Sequence, residues 1–372
     1  MKKIICKVIL ISLFLFLKSC SSYSLNIDTK LFVSGIGVDV NEHGDFSLCF
    51  SYPDISGFSA ESSSVKESGN ISGFGKTFYD ALRDASSKIH KNIDLEHAKI
   101  LIVSSDLIND HNNFENLVDY LSHNPQISRR IYICVGDGKA YDFLNFKPKT
   151  LSYSQNFISD LIENNVKENG INLVTLNNLL DFFSQNKVLL IPSLKLNEDK
   201  SIMSVYGSDI LQNYKLLKKI DLKDTMFINF LRGDSFKIFS DVDYGKLNIS
   251  FECENVKRNI KVLDYGNVNM ILKFDFNTSI NNCSDSDHTN ISEKFIGDVK
   301  CILDRDIYDN CINLINRFYK SGIDILNFEN FVYKFYTRTW EKCIASSPKW
   351  MENISVDLNI QNNILNIGNI SF

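Results

Sequence analysis

The sequence predicts a multidomain α+β / α/β protein made of three units of sheet plus packed helices, the last an antiparallel sheet with two helices and a final hairpin. Three observations predict it. Residues 30–147 alternate short apolar runs with amphipathic stretches of helical spacing, as a sheet layer with helical cover does. After Pro148 the pattern changes to two helices followed by a meander-like stretch. Beyond residue 233, long runs alternate apolar and polar side chains, the mark of a half-exposed antiparallel sheet. The expected divisions are 1–19 (leader), 20–29 (tether), 30–148 (N-terminal α/β domain), 149–233 (middle α+β domain) and 234–372 (C-terminal α+β domain).

Residues 30–52 read as two strands joined by the turn-rich Asn41-Glu42-His43-Gly44-Asp45. Residues 54–73, rich in Ser and Gly, read as a loop or edge segment. Phe78, Leu82, Ala85 and Ile89 fall at helical spacing, Ile100 to Val103 is a continuous apolar run suited to a buried strand, and Phe114 to Leu121 is a second helix. Ile131 to Val135 is another buried strand, and Ala140 to Phe146 a short helix. In the middle unit Leu151 to Val166 and Leu176 to Phe183 are helices, residues 187–220 alternate, and Asp221 to Leu231 is a helix stopped by Gly233. The last unit has strands at 246–256, 259–263 and 268–280 and a polar insert at 281–292. One helix passes through Ile307, Cys311 and Phe318; another runs from Phe328 to Cys343 with Asn327 as its N-cap. Val356/Leu358/Ile360 and Leu365/Ile367, joined by Gln361-Asn362-Asn363, read as the closing hairpin.

The N-terminus carries an address. Lys2 and Lys3 precede a ten-residue run, Val8 to Leu17, broken only by Ser12. That is too short to span a bilayer and reads as the apolar region of a signal peptide. It ends in Leu17-Lys18-Ser19-Cys20-Ser21, which resembles the lipobox of bacterial lipoproteins, with Lys18 where that pattern has a small or apolar residue. The resemblance implies a diacylated Cys20 as the mature N-terminus. An ordinary secretory signal and an uncleaved anchor are the other readings, and all three put residues 25–372 outside the cytoplasmic membrane.

Removing residues 1–19 takes away Lys2, Lys3, Lys7 and Lys18 and no acidic residue, which moves the formal charge from −5 to −9. A mildly acidic body argues against nucleic acid and against an electrostatic hold on anionic lipid. At 44% hydrophobic the chain can bury substantial cores. Of nine cysteines, Cys6 leaves with the leader and Cys20 would carry lipid; the odd remainder contains no CxxC and lies mostly in apolar runs. We expect no disulfide framework and no metal site.

Chemical motifs come close without closing. Gly75-Lys76-Thr77 opens a helix as a phosphate-binding loop would, but Asn70 stands where the first glycine is needed. Gly75 reads as a turn glycine and Thr77 as a helix-start residue. Asp241-Val242-Asp243-Tyr244-Gly245 and Asp285-Ser286-Asp287 lack the ligands and the final Glu of a calcium loop and read as solvated turns. The six histidines form no HxH or HExxH pair. His97, just before a buried strand, reads as a hydrogen-bonded structural residue. No nucleophile elbow and no Cys–His pair is set up.

Four blocks in order are similar to the Ger(x)C family, the C-subunit lipoproteins of spore nutrient germinant receptors. They are Gly35-Ile36-Gly37-Val38-Asp39; Gly75-Lys76-Thr77 followed by Ala81 and His97-Ala98-Lys99; Arg129-Arg130 leading to Gly138-Lys139-Ala140; and Tyr319 to Leu326 followed by Trp340 and Trp350. Asn327 replaces the small residue usual in the family. The resemblance implies a non-catalytic subunit without cofactor. It would be tethered through Cys20 to the outer face of the cytoplasmic (spore inner) membrane and packed on integral-membrane A and B subunits. It marks Gly35, Asp39, Gly75, Thr77, His97, Asp324 and Trp340 as structural or partner-contact positions. Asp324 reads as a turn residue between helices and Trp340 as a core aromatic. Two further readings of an exported body are a lipid-anchored solute-binding protein, which calls for two similar lobes about a cleft, and a cell-wall hydrolase, which calls for a carboxylate pair.

Overall fold

The computed structural model describes residues 29–53, 69–148, 154–235, 237–245, 247–264, 268–283, 293–347 and 349–367. Cys20 and its lipobox, most of the 54–73 segment and Asp285 to Asp287 lie outside the described residues. In chain order the first elements are β1 (Lys30–Phe32), β2 (Gly35–Val40), β3 (Phe46–Tyr52), β4 (Gly69–Gly75), α1 (Phe78–Ser86), β5 (Asn92–Asp94), β6 (Ile100–Ser104), α2 (Ser105–Asn109), α3 (His111–His123), β7 (Tyr132–Gly136) and α4 (Ala140–Leu144). Then come α5 (Ser154–Asn169), α6 (Leu176–Ser184), β8 (Leu189–Leu196), β9 (Met203–Gln212), β10 (Lys215–Asp221) and α7 (Leu222–Arg232). The chain ends with β11 (Lys237–Tyr244), β12 (Leu247–Asp264), β13 (Val268–Cys283), α8 (Glu293–Tyr319), α9 (Phe328–Phe335), α10 (Thr337–Ser346) and β14 (Ser355–Ile367).

Among the described residues, β10-β9-β8-β7-β6-β2-β3-β4 form one eight-stranded mixed sheet. Its centre, β2-β6-β7-β8, is parallel, and its flanks are antiparallel. Parallel strands need cover on both faces, which explains the unbroken apolar runs of β6 and β7. One face packs under Phe78, Leu107, Phe114, Leu117, Leu176 and Leu179 of α1, α2, α3 and α6. The other packs under Phe143 and Leu144 of α4 and Ile158 and Ile162 of α5. Residues 189–221, which the sequence groups with a middle unit, are thus hydrogen-bonded into the same sheet as residues 35–136. The parallel strands all begin at one end of this sheet, the leading end: Gly35 pairs with Ile100 and Ile100 with Tyr132. β1, in a two-stranded parallel ribbon with β5, runs into it, and β9 ends there beside Leu189.

The C-terminal sheet has the order β11-β12-β13-β14. A core joins it to the first sheet: Val188, Leu190, Ile210 and Ile220 share a cluster with Phe227 and Phe230 of α7, Phe274 of β13, Phe318 of α8 and Phe328 of α9.

Among the elements that differ from the sequence expectation, four lie in the C-terminal unit. The closing hairpin is one strand, β14, parallel to β13. Its apparent turn residue Asn362 is buried and accepts from Thr278 Oγ1 at 2.6 Å while donating to Asp304 Oδ1 at 3.0 Å. Polar partners on neighbouring elements let an amide sit inside a strand. β11 was not expected; Ile238, Ser240 and Val242 point inward from it, and Asp241 and Asp243 outward, with the turn at Gly245. The two runs before residue 264 are one strand, β12, interrupted by a register shift at positive-φ Asn255. The helix expected from Phe328 to Cys343 breaks at Tyr336, φ −136° and ψ 48°, into α9 and α10.

Candidate functional site

The loop between α8 and α9 is where the most specific sequence block folds. α8 ends at Tyr319, and Gly322 at φ +70° turns the chain. Asp324 then accepts from Phe328 N at 2.9 Å and Glu329 N at 2.7 Å, capping α9, and from Tyr319 Oη at 2.9 Å. A carboxylate that answers the first amides of a helix contributes about 1 kcal/mol. Burial still raises its pKa, against those three donors and the nearby Arg232 guanidinium. Asn327 holds the N-cap position expected of it but not the capping role: its φ is +53° and its side chain makes no cap bond. Asparagine adopts this left-handed conformation more readily than most side chains. Its amide instead brackets the backbone of Val188, accepting from Val188 N at 2.6 Å and donating to Val188 O at 3.1 Å.

Arg232, the last residue of α7, completes this clamp. It is buried, donating from Nε to Ile325 O at 2.7 Å and from Nη2 to Val188 O at 2.9 Å. Arg258 of β12 donates in turn to the carbonyl of Arg232. Burial lowers both guanidinium pKa values to about 10, opposed by Asp234 and Tyr319 and, at Arg232, by Asp324. Beside the clamp lies a cavity of about 710 Å³ whose lining includes Gln185, Gln212, Asp324, Glu329, Tyr333 and Trp340. Trp340 is half-buried, its ring edge-on to Tyr333 at 4.9 Å, and its indole Nε1 is buried without an aligned hydrogen-bond partner. Burial first, and Asp324 second, raise the Glu329 carboxyl, while the Trp340 indole opposes the shift.

The N-terminal positions are structural in their surroundings. A Cβ on Gly35 would come within 2.9 Å of Leu144 Cδ2, and one on Gly37 within 3.3 Å of Ala140 Cβ, so both glycines let α4 lie on β2. Asp39 caps that helix, accepting from Ala140 N at 2.7 Å and Tyr141 N at 3.1 Å. Burial raises its pKa above the ordinary carboxylate value. A Cβ on Gly75 would meet Ala81 N at 2.4 Å, so this glycine serves close strand–helix packing. Thr77 caps α1 by accepting from Asp80 N at 3.1 Å. His97 departs from expectation: it is exposed and, among the described residues, makes no side-chain hydrogen bond, meeting Phe32 edge-on at 5.4 Å. It lines a second cavity, about 750 Å³, with Lys99, Arg130, Tyr132 and Glu163, so two sequence blocks converge there.

Two groups of motif residues therefore gather at the leading end, Asp324 with Trp340 and His97 with Lys99 and Arg130, whereas Asp39 and the Gly75–Thr77 corner lie toward the other end. Sequence reading missed Arg232, Arg258 and Val188. A basic residue just before Gly233 signals only a helix end; its burial depends on what α8 and β8 bring to it.

The model described as "Spore germination protein N-terminal domain" matches residues 24–196, and that described as "Spore germination B3/ GerAC like, C-terminal" matches residues 206–368. No curated protein matches in sequence. The crystal structure of the GerBC protein is similar in fold at a TM-score of 0.60 and 13% identity, with 89% of this chain and 97% of that chain covered.

Proposed function

The chain belongs to the Ger(x)C family of spore germination proteins, and from that premise we propose that it is the non-catalytic, lipid-anchored C subunit of a nutrient germinant receptor. The observation that carries this reading is the pair of family matches running from residue 24 to residue 368 behind a lipobox-like Cys20. The protein sits on the outer face of the cytoplasmic (spore inner) membrane and works with integral-membrane A and B subunits. Its tether raises the local concentration of the body beside those partners. A diacyl group is needed, since one acyl chain holds a protein only marginally. The non-catalytic part of the reading is supported by the use made of the acidic motif residues. Asp39 and Asp324 both direct their carboxylates at backbone N–H groups, which caps helices.

Membrane fractionation and a nutrient-germination assay of Cys20→Ala spores test this directly. We expect release of the protein into the soluble fraction and loss of the response to nutrient. Retention on the membrane at wild-type levels would overturn the anchoring.

A further inference from the structure

The corner formed by α9 and α10 exposes aromatic and basic side chains together. None of α10's residues is buried. Phe335 is 61% exposed and Tyr333 54%, and Ile344 lies one helical turn beyond Trp340. The charge reverses here as well. Residues 333–349 contain Lys334, Arg338, Lys342 and Lys349 against Glu341 alone, in a chain of net charge −5. Lys342 and Lys349 pair with Asp264 and Glu352 at 3.3 Å, but among the described residues neither Lys334 nor Arg338 has an ion-pair partner.

Topology fixes where this corner sits. Asn330 donates to Gln185 O at 2.7 Å and Asn327 brackets Val188, so α9 is held at the leading end of the large sheet. β1, the first described strand, reaches the same end, so the residues that carry Cys20 join the fold on the side where the aromatic, basic corner is exposed.

We propose that the α9–α10 corner is a second membrane contact, lying in the headgroup layer of an anionic bilayer; this rests on the reading of Cys20 as the anchor. Exposed aromatic rings interleaved with lysine and arginine suit the membrane interface, where rings enter the headgroup boundary and cations meet lipid phosphate. Aromatic rings and arginine also suit the centre of a protein interface, but lysine is depleted there, and Lys334, Lys342 and Lys349 favour the headgroup layer. On an otherwise acidic body, this local positive charge also orients the molecule. The tether alone would leave it free to tumble above the surface; tether and corner together hold one face down.

The test uses the full, lipidated chain in phosphatidylcholine vesicles with and without phosphatidylglycerol, carrying brominated lipid as a quencher. Phe335→Trp reports on the corner. Phe74→Trp is the control: Phe74 is 60% exposed, but on β4, whose pairing through Ser47 to Asp39 puts it toward the opposite end of the sheet. Both replacements are aromatic for aromatic at exposed sites, and circular dichroism verifies the fold. We expect the added tryptophan at 335 to be quenched roughly twofold more than that at 74, with the difference shrinking when phosphatidylglycerol is omitted. Equal quenching in a protein that still floats with the vesicles overturns the proposal and leaves the corner to a protein partner. Flotation of the Cys20→Ala chain reports the anchor separately, so loss of the corner contact and failure of the anchor reading are told apart.

Discussion

Asp39 and Asp324 do the same local job in different surroundings. Each is an aspartate that accepts from the first two amides of a short helix, Ala140 and Tyr141 in one case, Phe328 and Glu329 in the other. Around Asp39 the fit is steric: Gly35 and Gly37 let a helix of the same sheet unit approach β2. Around Asp324 it is electrostatic, with Arg232, Arg258 and Tyr319 enclosed beside a joint between two sheets. A sheet and its own covering helix meet through many apolar contacts and need only space. The joint between sheets adds to its apolar core the directed polar bonds that Asn327 and Arg232 make to Val188, which favour one mutual arrangement.

The largest expected effect breaks the electrostatic side. Arg232→Met removes the donors to Val188 O and Ile325 O and leaves Asp324 without the Arg232 guanidinium. A loss of about 3–5 kcal/mol should appear in urea unfolding; a loss below about 1 kcal/mol would mean that apolar packing alone holds the joint. The steric side is probed by Gly73→Ala, whose new Cβ would stand 2.0 Å from Ala81 O. Forcing α1 away from β4 should cost about 1–3 kcal/mol, read from the same curve.

A smaller pair of changes divides the Asn327 contribution. Asn327→Gly keeps the left-handed backbone and loses the bonds to Val188, for about 1 kcal/mol. Asn327→Ala adds the strain of a Cβ at φ +53° and should lose about 1 kcal/mol more. Equal thermal shifts for the two would show that backbone conformation is not what selects asparagine there.

The smallest effect concerns pH. Asp209, on β9, is 1% exposed and takes a 2.6 Å bond from Ser193 Oγ on Oδ1, while Oδ2 is buried without a partner. Burial raises its pKa above 3.8, so the folded state holds this proton more tightly than the unfolded chain does. Its contribution is therefore fullest below the unfolded pKa and is lost as pH rises through the folded one. Asp209→Asn should flatten that part of the decline in melting temperature over the range above pH 3.8. An unchanged slope would show that Asp209 does not titrate within that range.

Much of the fold was legible because local rules govern it. Apolar runs marked β6 and β7, helical spacing marked α1 and α3, and Gly233 marked the end of α7. Thr77 read as a helix-start residue and is one. What failed were readings that local chemistry cannot decide. Asn362 looks like a turn residue until Thr278 and Asp304 arrive from β13 and α8 to satisfy it. Asn327 looks like an N-cap until Val188 takes its amide. His97 looks like a hydrogen-bonding residue and is exposed.

The sequence by itself determined the residue types, many of the strand and helix stretches, the lipobox-like residues around Cys20 and the ordered blocks that mark the family. Periodicity, glycine placement and capping are properties of neighbours along the chain, so they can be read without coordinates. Only the tertiary structure decided that residues 189–221 complete the first sheet, that Arg232 is buried, and that the Tyr333–Ile344 corner and the first strand share one end. Those facts depend on which distant segments meet, and burial or partnership of a polar group has no value until they do.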